Sequence, residues 1–252
     1  MLGKFSAYQD NQLIKHWPNC KSKQLFKYLV LHRGVPTHKE VLMDLFWPNL
    51  SEKSARNNLN VSICGLRNNL PRPLSGKPHI IYQSDCYFIN PEIDIWVDVE
   101  MFDNAISKAG KECRSKSTTN AISAYKDATE FYQGELLAED RYDEWIQPVR
   151  QKYRESNLSA LRYLRGQYTE IDDYDAVITT CLKVITSDPL EEETLSCLMK
   201  CYSKVGKRHL AVLVYHEYEQ QLLNDLDLTP SREMRQLLFD IKRSGLQDAQ
   251  TV

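Results

Sequence analysis

Apolar residues near the start of the chain recur at helical spacing and are separated by turn-forming residues. Between Lys21 and His32, Leu25 and Leu29 fall about one helical turn apart, and Gly34 provides a C-terminal stop. This pattern predicts a first helix that ends before Gly34.

Two further helices follow in the same pattern. Residues 37–40, Thr-His-Lys-Glu, have the form of a capping box, and Pro48 ends the short helix that they start. Ser51 is a suitable N-cap for a longer helix that runs to about Leu70, where Pro71 ends it. Three helices joined by tight turns predict a helix-turn-helix domain.

The third predicted helix has two contrasting faces. Its apolar stripe consists of Ala55, Leu59, Ile63, Leu66 and Leu70. The other face is rich in hydrogen-bond donors, and its only acidic residue lies at the helix start. Its members are Lys53, Ser54, Arg56, Asn57, Asn60, Val61, Cys64, Arg67 and Asn68.

Such a face has the chemistry of a DNA recognition helix. Arg and Asn can each make bidentate contacts with base edges in the major groove, and a small apolar side chain can meet a thymine methyl. The alternative is an ordinary solvated polar face. Because exposed helix faces usually mix Glu with Lys, the pattern favours DNA binding.

A β-prone hairpin follows this helix. Residues 79–82 and 87–89 form its two runs, and residues 83–86 join them. A hairpin in this position predicts the wing of a winged helix. The residues around it that suit phosphate contact are Arg72, Lys77 and His79.

A second, smaller hairpin is predicted at the N-terminus. Its strands would be residues 2–5 and 13–14, with the turn-forming residues Asp10 and Asn11 between them.

The second part of the chain reads as helical almost throughout. Residues 172–178 and 206–212 align at an offset of 34 residues, which is the tetratricopeptide period, and long amphipathic helices flank both. Each such unit is a helical hairpin that buries its apolar face against its neighbours. Earlier helices are predicted at 99–109, 119–132 and about 144–165, with a polar loop at 110–118, and Thr229 is expected to cap a last helix.

Charge is divided unevenly along the 252 residues. Residues 1–90 contain 12 Lys and Arg against 5 Asp and Glu, a net of +7, whereas residues 91–252 contain 20 against 29, a net of −9. A basic first part is suited to a polyanionic partner. The sequence has no export signal and no apolar run long enough to span a membrane, so a cytoplasmic protein is expected.

The seven cysteines include no CxxC pair, which predicts reduced thiols and neither a disulfide framework nor a zinc site. Cys197 and Cys201 would share a helix face, and we interpret this as core packing. No phosphate-binding glycine motif and no catalytic Ser/His/Asp or Cys/His set is visible. No cofactor or metal is therefore expected, and an enzyme is disfavoured.

Several short motifs, in order along nearly the whole chain, resemble bacterial transcriptional activators of the antibiotic-regulatory type. In that family a response-regulator-type winged helix precedes a bacterial transcriptional activator domain with tetratricopeptide-like repeats. The motifs are LVLHRG (29–34), LFWP (45–48), ARNNL (55–59) and LR (66–67), then DIWVDV (94–99), YQGELL (132–137), WI (145–146), SDPL (187–190) and LDLTPS (226–231).

The resemblance implies a mainly α fold with small β hairpins. It implies a DNA-binding domain over residues 1–92, an activator domain over 93–245 and a disordered tail over 246–252. By position, Arg56, Asn57, Asn60 and Val61 match the family's recognition helix, whereas Lys77 and Tyr87 lie in its wing.

The implied partners are double-stranded promoter DNA, bound at direct repeats, and RNA polymerase with its sigma factor. The resemblance also implies a homodimer, and it implies no contact with a membrane. This sequence departs from the family in having Asn60, Asn68 and Asn69 where relatives commonly carry Arg, and Cys86 where a Gly is usual. A competing hypothesis is therefore a protein-interaction scaffold whose winged helix no longer binds DNA.

Overall fold

The computed structural model describes residues 1–9, 11–70, 76 and 78–249, and of residues 244–249 only the backbone. Two compact units emerge from it. The first comprises Met1–Glu100 together with Leu136–Gln147, and the second comprises Met101–Glu135 together with Pro148–Val252. The first unit thus extends past residue 92, the end predicted for the DNA-binding domain, and takes in a later segment of the chain.

The first unit contains three helices and two small antiparallel sheets. Its principal elements are β1 (Tyr8–Gln9), β2 (Gln12–Leu13), α1 (Cys20–Leu31), β3 (Thr37–His38), α2 (Lys39–Phe46), α3 (Glu52–Asn69), β4 (Ile80–Gln83) and β5 (Cys86–Ile89), and a 3-10 turn lies at Glu144–Ile146.

The three predicted helices are confirmed, with one change in their capping. Ser51 caps α3 as predicted, since its hydroxyl accepts from the Ser54 amide. The capping box predicted at residues 37–40 is wrong because Thr37 lies in a β-strand and His38, whose Nδ1 accepts from the Glu40 amide, is the N-cap of α2.

The second sheet contains the predicted wing and one strand that the sequence pattern missed. Strands β4 and β5 pair with Tyr82 opposite Tyr87, and β3 pairs with the other edge of β5, giving the order β3-β5-β4. The order of elements α1-β3-α2-α3-β4-β5 is that of a winged helix. Ser84 and Asp85 form the wing's turn, both with positive φ, so Cys86 needs no glycine in its place.

The N-terminal hairpin exists, but its strands differ from those predicted. The strands are β1 and β2, not residues 2–5 and 13–14, while Leu2 instead forms a bridge with Leu136. Asn11 adopts the left-handed conformation that the tight turn requires, with φ of 62°. The other predicted turn residue, Asp10, lies outside the described residues.

A buried lysine ties the later segment to the first unit. Lys27 of α1 is 1% exposed, and its Nζ lies 2.9 Å from Glu139 Oε1 and 2.5 Å from Asp140 Oδ2. In the same segment, Trp145 stacks edge-on against Tyr28 at 5.2 Å between ring centroids.

In the described residues, all the regular secondary structure of the second unit is helical. They are α4 (Asp98–Arg114), which begins at the end of the first unit, α5 (Thr118–Phe131), α6 (Gln147–Glu170), α7 (Tyr174–Ser187), α8 (Glu192–Lys204), α9 (Arg208–Leu226) and α10 (Arg232–Ala249).

The repeat predicted from the sequence is confirmed, because α7 begins at Tyr174 and α9 begins 34 residues later at Arg208. Successive helices from α7 to α10 pack against one another, as expected for tetratricopeptide-like hairpins. Residues 110–114 are helical rather than in the predicted loop, and α10 continues four residues into the segment predicted as a tail. The predicted cap Thr229 is wrong, since the Ser231 hydroxyl accepts from the Met234 amide.

Candidate nucleic-acid interface

The donor-rich face of α3 is open to solvent. Every residue predicted for this face is exposed, whereas the apolar stripe of the same helix is buried: Ala55, Leu59, Ile63, Leu66 and Leu70. Val61, in the middle of the open face, is 57% exposed. The division follows from the 3.6-residue period, which sends the stripe into the core and leaves the polar side outward.

The N-terminal end of this face is fixed by local contacts. The Ser51 hydroxyl also donates to the Ser54 hydroxyl at 3.0 Å, and the Arg56 guanidinium pairs with Glu52 one turn earlier. This exposed pair is weak and can exchange Glu52 for another anion such as a phosphate. Lys53, also exposed, adds a second cation to this end of the helix.

The wing is joined to α3 by two side chains of the predicted set. Arg67 donates from Nε and Nη2 to the Ile80 carbonyl at 3.1 and 2.8 Å. The Tyr87 hydroxyl donates to Asn60 Oδ1 at 3.2 Å. Arg67 therefore anchors the start of β4, and the Asn60 amide nitrogen remains available as a donor.

Tyr87 is the most buried of the predicted interface residues that the structure describes. Its side chain is only 6% exposed, and its ring lies 4.7 Å from that of Tyr82. Burial raises the pKa of the Tyr87 hydroxyl, which keeps it protonated as a donor. Tyr87 thus orients Asn60 from below instead of presenting a large surface of its own.

The tip of the wing contains a polar group that the sequence did not reveal. Asp85 Oδ1 accepts from Lys39 Nζ at 2.5 Å and from the Tyr82 hydroxyl at 2.7 Å. These hydrogen bonds, from Lys39 first and Tyr82 second, hold the pKa of Asp85 below its usual range and raise that of Lys39. The two opposite charges therefore offset each other at the tip of the wing. No local spacing connects Lys39 to Asp85, 46 residues away.

Of the three predicted phosphate contacts, only His79 lies among the described residues, since Arg72 and Lys77 lie outside them. His79 is partly buried, and desolvation lowers its pKa. The ring is therefore largely neutral at pH 7 and can serve as a hydrogen-bonding group more than as a cation.

Neither a candidate metal site nor a membrane-spanning helix is found among the described residues. Among them, no group of three or more His, Cys, Asp or Glu is arranged to hold a metal ion. In that same part of the chain, no helix combines the length and apolar character needed to cross a membrane.

The fold and this interface define a winged-helix protein with a second unit of tetratricopeptide-like repeats. A family model described as the bacterial transcriptional activator domain matches residues 97–242, more than half of the chain. The chain belongs to the bacterial transcriptional activator domain family. A winged helix ahead of that domain is the domain order that the sequence motifs predict for the antibiotic-regulatory type.

Among solved structures, the chain is similar to Mycobacterium tuberculosis EmbR in complex with a low-affinity phosphopeptide, with a TM-score of 0.68 and 18% identity. The alignment covers 96% of this chain and 64% of the EmbR chain, and at this identity it shows the fold alone. A weaker likeness, with a TM-score of 0.43 and 19% identity, is to the C-terminal tetratricopeptide-containing domain of a Plasmodium falciparum FK506-binding protein. That alignment covers 62% of this chain and 97% of the other. Comparison with curated protein sequences gives no significant match.

Proposed function

We propose that this protein is a transcriptional activator that binds promoter DNA in a sequence-specific way through α3 and the wing. The observation that carries the proposal is the exposed, donor-rich face of α3 above a buried apolar stripe. With 18 residues, α3 is about 27 Å long, which is enough to lie along a stretch of major groove.

The structure supports different roles for the residues of this face. Asn57, Asn60 and Val61, all exposed, would read base edges, with the Asn60 amide nitrogen donating to an acceptor such as guanine O6 or N7. Arg56 and Lys53 would contact phosphates, which position the protein without reading sequence. Arg67 would act mainly by holding the wing against α3.

We further propose that the DNA-binding domain is the whole first unit, including Leu136–Gln147, and not residues 1–92 alone. Family membership supports a role for the second unit in contacts with RNA polymerase and its sigma factor. It also supports side-by-side protomers on direct repeats, with recognition sites about one helical turn apart. These activities belong in the bacterial cytoplasm.

Selection from random duplexes tests the proposal directly. The purified chain is mixed with random-sequence DNA at two salt concentrations, and the retained duplexes are sequenced. We expect a recovered motif, with a direct repeat if protomers bind side by side, and an affinity that falls with salt by about one power per phosphate contacted.

Arg56→Ala provides the matched variant. It should weaken binding to the selected site and reduce the salt slope by about one, because one phosphate contact is lost. Arg114→Ala removes an arginine that is also exposed, at the end of α4 in the second unit, and should change neither quantity. Transcription from the selected promoter by purified RNA polymerase holoenzyme, with and without the protein, tests activation separately.

Absence of any enriched sequence at the lower salt would contradict DNA binding. So would an equal loss of affinity in the Arg56 and Arg114 variants. Either result would favour the scaffold hypothesis, for which the net charge of −9 over residues 91–252 offers a surface suited to basic partners.

A further inference from the structure

Three cysteines of the second unit lie together where α7 packs against α8. Cys181 of α7 and Cys201 of α8 are buried in one apolar cluster with Leu198, and Cys197 packs against that cluster. Cys197 is partly exposed, whereas Cys181 has no exposed surface. Cys197 therefore has some access to solvent, and a fully buried cysteine lies on the neighbouring helix.

A buried cation lies about one helical turn from Cys197. Arg165 of α6 donates to the Thr194 hydroxyl and pairs with Glu193, both on the first turn of α8. Cys197 follows Thr194 by three residues, so the two side chains lie on the same side of α8 and the Arg165 charge acts on the Cys197 sulfur.

The two neighbouring thiols are polarised in opposite directions. A hydrogen bond from Cys181 and the charge of Arg165 outweigh desolvation and lower the pKa of Cys197 to about 6. The same hydrogen bond, together with burial, raises the pKa of Cys181. Of the two thiols, Cys197 is therefore the one that ionises more readily and Cys181 the one that stays protonated, which is the arrangement of reactive cysteines.

We propose that Cys197 is a thiol modification site that reacts with hydroperoxides and that Cys181 converts the product into a disulfide linking α7 to α8. This proposal is independent of DNA binding. It adds a reactive role to Cys197, whose predicted packing against the core the structure confirms.

The chemistry balances with one hydroperoxide as the two-electron oxidant. The Cys197 thiolate attacks the peroxide, an S–O bond forms, the O–O bond breaks, and the alcohol leaves after taking a proton from water. The Cys197 sulfur is then a sulfenic acid. The Cys181 sulfur attacks it, an S–S bond forms, the S–O bond breaks, and water leaves with the Cys181 proton.

Cys181 is a better partner than Cys201 for geometric reasons. Cys201 shares α8 with Cys197, and side chains four residues apart on a helix have Cβ atoms about 5–6 Å apart. A disulfide needs Cβ atoms about 3.5–4.5 Å apart, so a link within α8 would distort the helix. A link to α7 instead joins two helices that pack against each other.

Alkylation of the full reduced chain with iodoacetamide, followed by peptide mass mapping, tests the reactivity of Cys197. Cys20 and Cys64 are exposed and serve as internal references. At pH 6 a thiolate of this kind should react about tenfold faster than an ordinary exposed thiol, after allowance for its lower intrinsic nucleophilicity. An equal or slower rate at Cys197 would overturn the proposal.

Treatment with tert-butyl hydroperoxide tests the resolving step. We expect a Cys181–Cys197 disulfide in the non-reduced peptide map. Cys181→Ser should instead leave a Cys197 sulfenic acid that dimedone traps, and Cys201→Ser, the matched control, should still form the disulfide. A different pairing, or no disulfide in the unmodified chain, would overturn the assignment even if a variant fails to fold.

Discussion

Replacement of Lys27 by Met should destabilise the first unit strongly. Lys27 lies under the surface between Glu139 and Asp140, and Glu139 also accepts from the Phe5 amide at 3.1 Å. Methionine fills most of the lysine volume but leaves two carboxylates without their buried cation. The variant therefore tests whether the segment that carries them belongs to the winged-helix unit.

The expected loss is set by the burial of the three groups. Removal of one partner from a buried ion pair costs about 3–5 kcal/mol. The carboxylates are less buried than Lys27, with side-chain exposures of 28% for Glu139 and 11% for Asp140, so we expect about 3 kcal/mol. That is a large part of the roughly 5–15 kcal/mol of stability of an ordinary domain.

Urea unfolding followed by tryptophan fluorescence isolates the first unit. All four tryptophans of the chain, Trp17, Trp47, Trp96 and Trp145, belong to it. Lys23→Met is the matched control: it lies on the same helix, 4.0 Å from the same Glu139 oxygen, but its side chain is 32% exposed. The control should lose at most about 1 kcal/mol.

The pH dependence gives a second signature of the same ion pair. Burial opposes ionisation of Glu139, but hydrogen bonds from Lys27, its own backbone and the Phe5 amide hold its pKa below the usual range. A carboxylate whose pKa is lowered by folding stabilises the folded state at pH values above its unfolded-state pKa. This stabilisation is lost as the pH falls through the folded-state pKa. The difference between the native chain and Lys27→Met should therefore shrink below about pH 4. A Lys27→Met chain within 1 kcal/mol of the native one at pH 7 would refute the reasoning.

Two further predictions concern the junction between α3 and the wing. Tyr87→Phe should lower the free energy of unfolding by about 1 kcal/mol or less. It should nevertheless relax the base preference at the position facing Asn60, because the Asn60 amide loses its fixed orientation. An unchanged selected DNA motif would contradict this prediction. Arg67→Lys keeps the charge but loses the two hydrogen bonds to the Ile80 carbonyl, so it should weaken DNA binding nearly as much as Arg67→Ala. Full DNA binding by the lysine variant would show that the charge alone matters.

Local periodicity was sufficient to predict most helices of this protein and the face that α3 exposes. The stripe from Ala55 to Leu70 repeats at the helical period, and burial of such a stripe leaves the opposite side in water. The 34-residue offset likewise predicted where α7 and α9 begin, since each repeat needs the same helical hairpin to bury its apolar face. These features depend on residues close together in the chain.

Contacts between distant residues were decided by the tertiary structure alone. Thr37 and His38 form a strand only because β5, almost 50 residues later, offers an edge to pair with, and a two-residue strand has no period to detect. In the wing turn, Asp85 accepts a hydrogen bond from Lys39, which lies 46 residues away in the sequence. The arrangement of Cys181 and Cys197 also depends on how α7 and α8 pack.

Residues 136–147 show the same difference between what the sequence predicts and what the tertiary structure decides. In sequence they lie between helices of the second unit, and their pattern resembles the activator domain. In the structure, the buried Lys27 and the bridge from Leu2 to Leu136 draw them into the first unit. Sequence alone thus determined where most helices lie and which side chains of α3 turn inward or outward, because both follow from the local period. Tertiary structure decided which distant charges and strand edges meet, because burial of a charge requires a partner that only the folded chain brings near.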